Sequence, residues 1–270
     1  MRLAALLMAA ALLAGACGGD AGSVADPVPG STGTSAPEVR GAELAGRWAH
    51  YDIVAYEDSI MKTMIISYGF TDFAVEGDQL IESEEFCHAD QVSDQPIKTS
   101  ISDEATQAIK PVSTPVEVTG EAGEWRVFRP ATPTPVGIRL ENPAEESLPT
   151  DPTDPRIVDD DGDGKPGITV VIRFSDELQG ELYLARREIF AYDMVQDGPD
   201  SMAGTVTDSS EQLVIGTSLA ILEGTDAQWE QVSDTSLSPI LLKRVDRGWD
   251  CDRLMAERAQ LFPPDPEIGW

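Results

Sequence analysis

Histidine is nearly missing from this chain: its 270 residues hold only two, His50 and His88. That scarcity removes most general-base and zinc chemistry. No H-E-x-x-H pair, G-x-S-x-G elbow or phosphate-cradling glycine loop is present to restore it. Basic residues are few as well, 19 Lys and Arg against 48 Asp and Glu, for a formal charge of -29. A domain of that sign repels phosphate backbones and anionic membrane surfaces, which excludes nucleic acid as a partner. Cysteine occurs three times and aromatics make up 6%. The apolar run at 3–13 is shorter than the ~20 residues a membrane-spanning helix needs. What the chain does have is 41% hydrophobic residues, enough for one sizeable core in the folded part.

The N-terminus specifies an address. Arg2 precedes the apolar run, and Ala14-Gly15-Ala16-Cys17 is a small-residue cleavage site ending in cysteine. This resembles the lipobox of bacterial lipoproteins, with Ala14 where that class usually has Leu. The resemblance implies removal of a signal peptide, 1–16, and acylation of Cys17, which would tether the protein to a membrane through its lipid. Gly18 follows the cysteine in place of the Asp that favours inner-membrane retention, so the resemblance implies the outer membrane of a diderm cell envelope. The alternative is a plain secreted protein cut near Ala16. Residues 17–43 are a Gly/Ser/Pro/Ala/Thr mixture with no apolar face, and they predict a lipid-anchored flexible linker spanning about 25–30 Å.

With Cys17 carrying lipid, Cys87 and Cys251 remain as the one pair available in an oxidising compartment, and a Cys87–Cys251 disulfide is expected. Cys87 beside His88 is the competing reading as nucleophile and base. Neighbours on a strand point to opposite faces, which argues against it.

Short apolar runs separated by turn residues predict strands at 46–56, 61–75, 79–87, 124–128, 136–140, 168–174, 181–192, 205–206, 212–222, 229–232 and 240–245. The turns between them are expected at Glu76-Gly77-Asp78, Thr119-Gly120-Glu121, Gln179-Gly180 and Asp197-Gly198-Pro199. A short helix is expected within 99–109, capped by Ser102, and a second over 250–261 behind Asp250. The predicted fold is a mainly β antiparallel meander at 44–262, a closed or nearly closed barrel with a short C-terminal helix. Residues 263–270 contribute an extended tail whose Trp270 either plugs a groove or dangles.

Residues 158–170 carry the clearest chemical signal. Asp159, Asp161, Asp163 and Gly164 match D-x-D-x-D-G, the opening of a calcium loop. Three carboxylates at alternate positions converge on one hard cation if the backbone coils around it, with the carbonyl of Lys165 turned inward. The stretch resembles the Asp-rich loops of thrombospondin type 3 repeats, integrin-type propeller blades and dockerins. It departs from them at the ninth position, Gly167, and from EF-hands at the twelfth, Val170. It runs into a strand, which excludes a helix-loop-helix sensor. One fixed structural calcium is therefore expected, with Asp151, Asp154 and Asp176 as candidates for the remaining ligands. A metal-free surface turn is the alternative. The longer string LPTDPTDPRIVDDDGDGKPGITV also resembles a segment of secreted or lipid-anchored bacterial proteins to which no activity is attached.

Gly46-Arg47-Trp48 resembles the G-x-W signature of lipocalins, in which the Trp packs across the floor of an eight-stranded barrel. Thr71-Asp72-Phe73 falls too early for the family's second motif, and a Trp such as Trp48 is more often simply a core aromatic anchoring the first strand. Ser59-Ile60-Met61-Lys62 matches S-x-x-K without the accompanying S-D-N and K-T-G elements. No catalytic residue is assigned. The leading expectation is a non-catalytic cell-envelope lipoprotein whose calcium-stabilised β domain has a binding or structural role. A lipocalin-like carrier of a small apolar ligand is the alternative, and a carboxylate-based hydrolase the lesser one.

Overall fold

The computed structural model describes residues 39–58, 61–224 and 229–270. The signal segment 1–16, Cys17, residues 18–38 of the linker and Ser59 of the S-x-x-K match lie outside the described residues.

The strands in chain order are β1 (Gly46–Glu57), β2 (Lys62–Glu76), β3 (Gln79–Ser93), β4 (Lys98–Ile101), β5 (Thr114–Pro115), β6 (Glu117–Thr119), β7 (Arg126–Val136), β8 (Ile168–Arg173), β9 (Gln179–Gly198), β10 (Ser201–Asp208), β11 (Glu211–Thr217), β12 (Glu230–Gln231) and β13 (Pro239–Val245). Two α-helices accompany them, α1 (Asp103–Ala108) and α2 (Cys251–Leu261). The named strands all pair antiparallel with their neighbours. Eight of them, in the order β1-β2-β3-β4-β8-β9-β10-β13, form a ring that β13 closes on β1. β9 is long enough to border β8 and β7 along one edge and β11 and β10 along the other.

Alternation decides what each strand contributes. Along β1, Trp48, Val54 and Tyr56 belong to the ring's interior core, while Ala49, Tyr51 and Ile53 belong to a second core on the outer face. Both faces of β1 are therefore buried, which is why it lacks the apolar/polar alternation of a half-exposed strand. The outer cover is α2 and the tail. Asp250 caps α2 by accepting from the Arg253 N–H at 2.9 Å, Leu254 is fully buried, and Phe262 stacks on Tyr51. Cys87 on β3 is bonded to Cys251 at the start of α2, with Cα atoms 5.3 Å apart, as the cysteine count predicts. Beyond α2 the tail runs along β2. Tyr68 donates to Asp265, and the Lys62 ammonium donates to the Trp270 carbonyl at 2.5 Å, so Trp270 is held.

Several boundaries differ from the sequence reading. No separate strand forms at 136–140: only Val136 of that run is in a strand, as the last residue of β7, which begins at Arg126 within the run 124–128 and whose Pro130, Pro133 and Pro135 break the apolar pattern. A register shift between Arg129 and Thr132 accommodates the first of them. Gln179-Gly180 lies inside β9, and the turn before it is closed earlier by Phe174 N–H donating to the Leu178 carbonyl. β3 continues past Cys87 to Ser93 because β2 supplies a partner for every residue except at one bulge. The region 99–109 divides into β4 and then α1, with Ser102 accepting from the Ala105 N–H as expected. The strand expected at 212–222 ends at Thr217 and gives way to a 3-10 turn, Ala220–Leu222. At 76–78 the expected turn is present, with Gly77 at a φ of 64°. No helix among the described residues is long and apolar enough to cross a membrane.

Candidate functional site

The interior of the ring is packed at one end and open at the other. At the packed end Trp48, Phe73, Leu80, Val127 and Met194 are at most 2% exposed. The Trp48 indole donates to the Leu44 carbonyl at 2.9 Å, and the Arg244 guanidinium lies 4.1 Å from its ring. Trp48 thus floors the closed end.

Above this plug lies a layer of buried charge. Arg129 is fully buried, with Nε 3.0 Å from Glu82 and Nη2 3.6 Å from Glu84. Its Nη1 donates to the Phe190 carbonyl at 2.8 Å, and its guanidinium lies over the Phe190 ring. Burial raises the carboxyl pKa of both glutamates, and the neighbouring Glu82 charge pushes Glu84 well above the usual range. Tyr192 is raised by burial and by the same two carboxylates. His50 completes the layer, with Nδ1 3.2 Å from Thr71 and Nε2 3.3 Å from Asp52. This layer was legible in part. Leu80, Glu82, Glu84 and Phe86 alternate on one face of β3, so the two glutamates share the face of two core residues.

Beyond the charged layer the ring holds a cavity of about 770 Å³. That volume is within the range of small-molecule sites. Its walls are mainly aliphatic and aromatic, with Val54, Ile65, Phe86, Val170, Leu184 and Phe190 among them, and Glu84 and Asp52 face it from the charged layer. Towards the other end Arg186 donates to Glu188 at 2.6 Å, and the Tyr56 hydroxyl donates to Asp208 at 2.9 Å. The Ser210 hydroxyl lies 2.6 Å from Asp208 and 3.0 Å from Glu188, tying these groups into one network. Burial raises the Asp208 carboxyl, with Glu188 adding to the effect.

The Asp-rich loop is a separate feature on the ring's outside. Gly167 N–H donates to the Val158 carbonyl and Asp160 N–H to the Gly167 carbonyl, which closes the loop before β8. Gly167 has a φ of 83°, and a Cβ there would meet the Leu184 carbonyl oxygen at 2.3 Å, so only glycine lets the loop lie this close to β9. Asp159, Asp161 and Asp163 offer oxygens within 4.8 Å of one another. Asp159 accepts from the N–H groups of Gly162 and Gly164, and Asp163 from Lys165 N–H and the Thr169 hydroxyl. One oxygen of Asp161 accepts from Thr169 N–H; the other, Oδ1, is buried without a hydrogen-bond partner. That orphaned acceptor and the all-oxygen donor set fit a hard cation. The intervening Asp160 points away, to Gly137 N–H and Arg139. Asp151 and Asp154 bond within their own turn to Thr153 and Arg156. The metal-type cluster found among the described residues contains the three loop aspartates and not Asp151, Asp154 or Asp176. The Lys165 ammonium pairs with Asp163 and Glu181, placing one positive charge at the loop's edge.

His88 and Cys87 do not form a catalytic pair, because Cys87 is in the disulfide and His88 bridges Asp90 and Asp103 at 3.1 and 2.7 Å. No family model, curated protein or solved structure matches the chain.

Proposed function

We propose that this chain is an exported binding protein, tethered to the outer membrane through lipid on Cys17, that carries a small ligand with an apolar body inside its ring of strands. The observation that carries the reading is the cavity. A non-catalytic β domain with a purely structural role has no need of about 770 Å³ of unfilled interior, and large unfilled apolar space is costly to maintain. The G-x-W signature agrees, since Trp48 floors an eight-stranded ring. Location rests on the lipobox resemblance alone, and incorporation of labelled fatty acid that disappears in Cys17→Ser tests it.

A structural calcium in the loop 158–170 is the second part of the proposal. Asp159, Asp161 and Asp163 would supply carboxylate oxygens and Lys165 its carbonyl, and the cation would stabilise the loop that leads into β8. The buried, unpartnered Asp161 Oδ1 supports it.

The carrier reading is tested with N-phenyl-1-naphthylamine, a neutral dye that brightens in apolar surroundings. The purified domain is expected to bind one equivalent, and Val54→Trp, which takes up part of the cavity, is expected to weaken binding while the circular dichroism spectrum is kept. Equal dye binding by the wild type and the folded variant would sink the proposal, as would no binding by either.

A further inference from the structure

We propose that the ligand bears a protonated amine, seated on Glu84 and Asp52 beside the Phe86 and Phe190 rings. This deepens the carrier reading and rests on it.

Five observations converge. Among the described ionisable side chains that line the cavity, Arg186 is the only cation, and Glu188 and Gln212 already engage it. Glu84 faces the cavity with a side chain only 1% exposed, and its Oε2 accepts no hydrogen bond. The nearest cation, Arg129, is outside the cavity lining and is committed to Glu82 and the Phe190 carbonyl, which leaves it 3.6 Å from Glu84. Asp52 faces the same space, adding a second carboxyl whose Oδ2 lies 3.3 Å from His50 Nε2. Phe86 and Phe190 meet edge to face at 6.0 Å between centroids and both line the cavity.

An ammonium group entering this corner finds Glu84, whose ion pair to Arg129 is stretched to 3.6 Å, a second carboxyl in Asp52 and aromatic rings that favour cations. A neutral ligand adds no charge to balance a cavity lining rich in carboxyls, and a carboxylate ligand brings one more acid into a space of low dielectric. The aliphatic wall from Val54 to Leu184 then takes the ligand's apolar body. The corner therefore selects among ligands of equal apolar size by head-group charge.

The experiment is displacement of the naphthylamine dye by decylamine, decanol and decanoate at neutral pH, each below its micellar concentration. Decylamine is expected to displace the dye at a concentration at least about tenfold lower than decanol, the scale of one charged hydrogen bond, with decanoate the weakest. Glu84→Gln is expected to remove the preference for the amine while leaving decanol unchanged. Asp52→Asn provides a second reading of the same corner, with a smaller loss for the amine alone. Decanol matching decylamine in the wild type, or a Glu84→Gln protein that folds and keeps the amine preference, overturns the proposal and leaves the carrier reading intact. Failure of the dye itself to bind removes both.

Discussion

Replacing Arg129 with Met tests the energetics of the ring's interior directly. The guanidinium is fully buried between Glu82 and Glu84 and stacks on Phe190 at 4.4 Å. Met preserves much of the apolar volume but removes the cation that faces both carboxylates. Breaking a buried pair by deleting one partner costs about 3–5 kcal/mol, because the other charge is stranded. At roughly 2–4 °C per kcal/mol for a domain of this size, the midpoint should fall by about 6–20 °C at pH 8. The pH dependence carries the diagnosis. Both carboxyls already have raised folded-state pKa values, and loss of Arg129 raises them further. A group raised in the folded state favours folding below its unfolded pKa and loses that favour as the pH rises through the folded value. The variant's deficit should therefore be small near pH 4, where both carboxyls are protonated, and should grow through neutral pH. Adding Glu82→Gln and Glu84→Gln should recover most of it. Thermal melts of the three proteins across pH 4 to 8 measure this. A deficit below about 1 kcal/mol, or one equally large at both ends, would falsify the account of a cation neutralising buried carboxylates.

Other expectations concern the outside of the ring. Reduction of the Cys87–Cys251 bond, or its double replacement by Ala, frees a crosslink across 164 residues and should cost up to about 5 kcal/mol on the chain-entropy model. A midpoint change under about 3 °C would mean that Leu254 and Phe262 hold α2 without it. His88 has its pKa raised to about 9 by its hydrogen bond to Asp90, with Asp103 contributing. Its protonated form thus stabilises the fold below the unfolded pKa of about 6.5, and that contribution fades as the pH rises through about 9. His88→Gln should lower stability by less than about 1 kcal/mol near neutral pH, since the site is half-exposed, and by nothing measurable at pH 10. Millimolar calcium should raise the wild-type midpoint by several degrees, about 2.7 kcal/mol at a hundredfold excess over Kd, and Asp161→Ala should abolish the response. A wild type indifferent to calcium returns the Asp-rich loop to the status of a turn.

Local chemistry was legible in the sequence and long-range pairing was not. Ser102 and Asp250 announce their helices because a capping oxygen acts on an N–H three residues away. Gly77 announces its hairpin by the same locality. Closure of the ring depends instead on β13 meeting β1 across almost the whole chain, and no short-range pattern encodes that. The prolines of β7 and the polar stretch from His88 to Ser93 conceal strand, since the ladder there is supplied by β9 and β2 and not by intrinsic preference. The three loop aspartates were visible as a motif. The charged corner was not, because 48 acidic residues give no sign of which pair faces inward until the alternation on β3 is tied to a closed ring.

The position of β13 also sets an order of events. It stands between β1 and β10, so a chain that emerges N-terminus first must wait for residues 239–245 before the facing edges of those strands are covered, apart from the Tyr56–Glu57 end of β1 that β12 pairs. Until then two long strands present unpaired backbone, the state most open to wrong partners. Cys251 follows only a few residues later and is bonded to Cys87 on β3, with β1 and β2 lying between that strand and β13. The bond to Cys87 therefore ties the segment that leaves the last strand back across β1 and β2, so one crosslink joins the end of the folded chain to its opening strands.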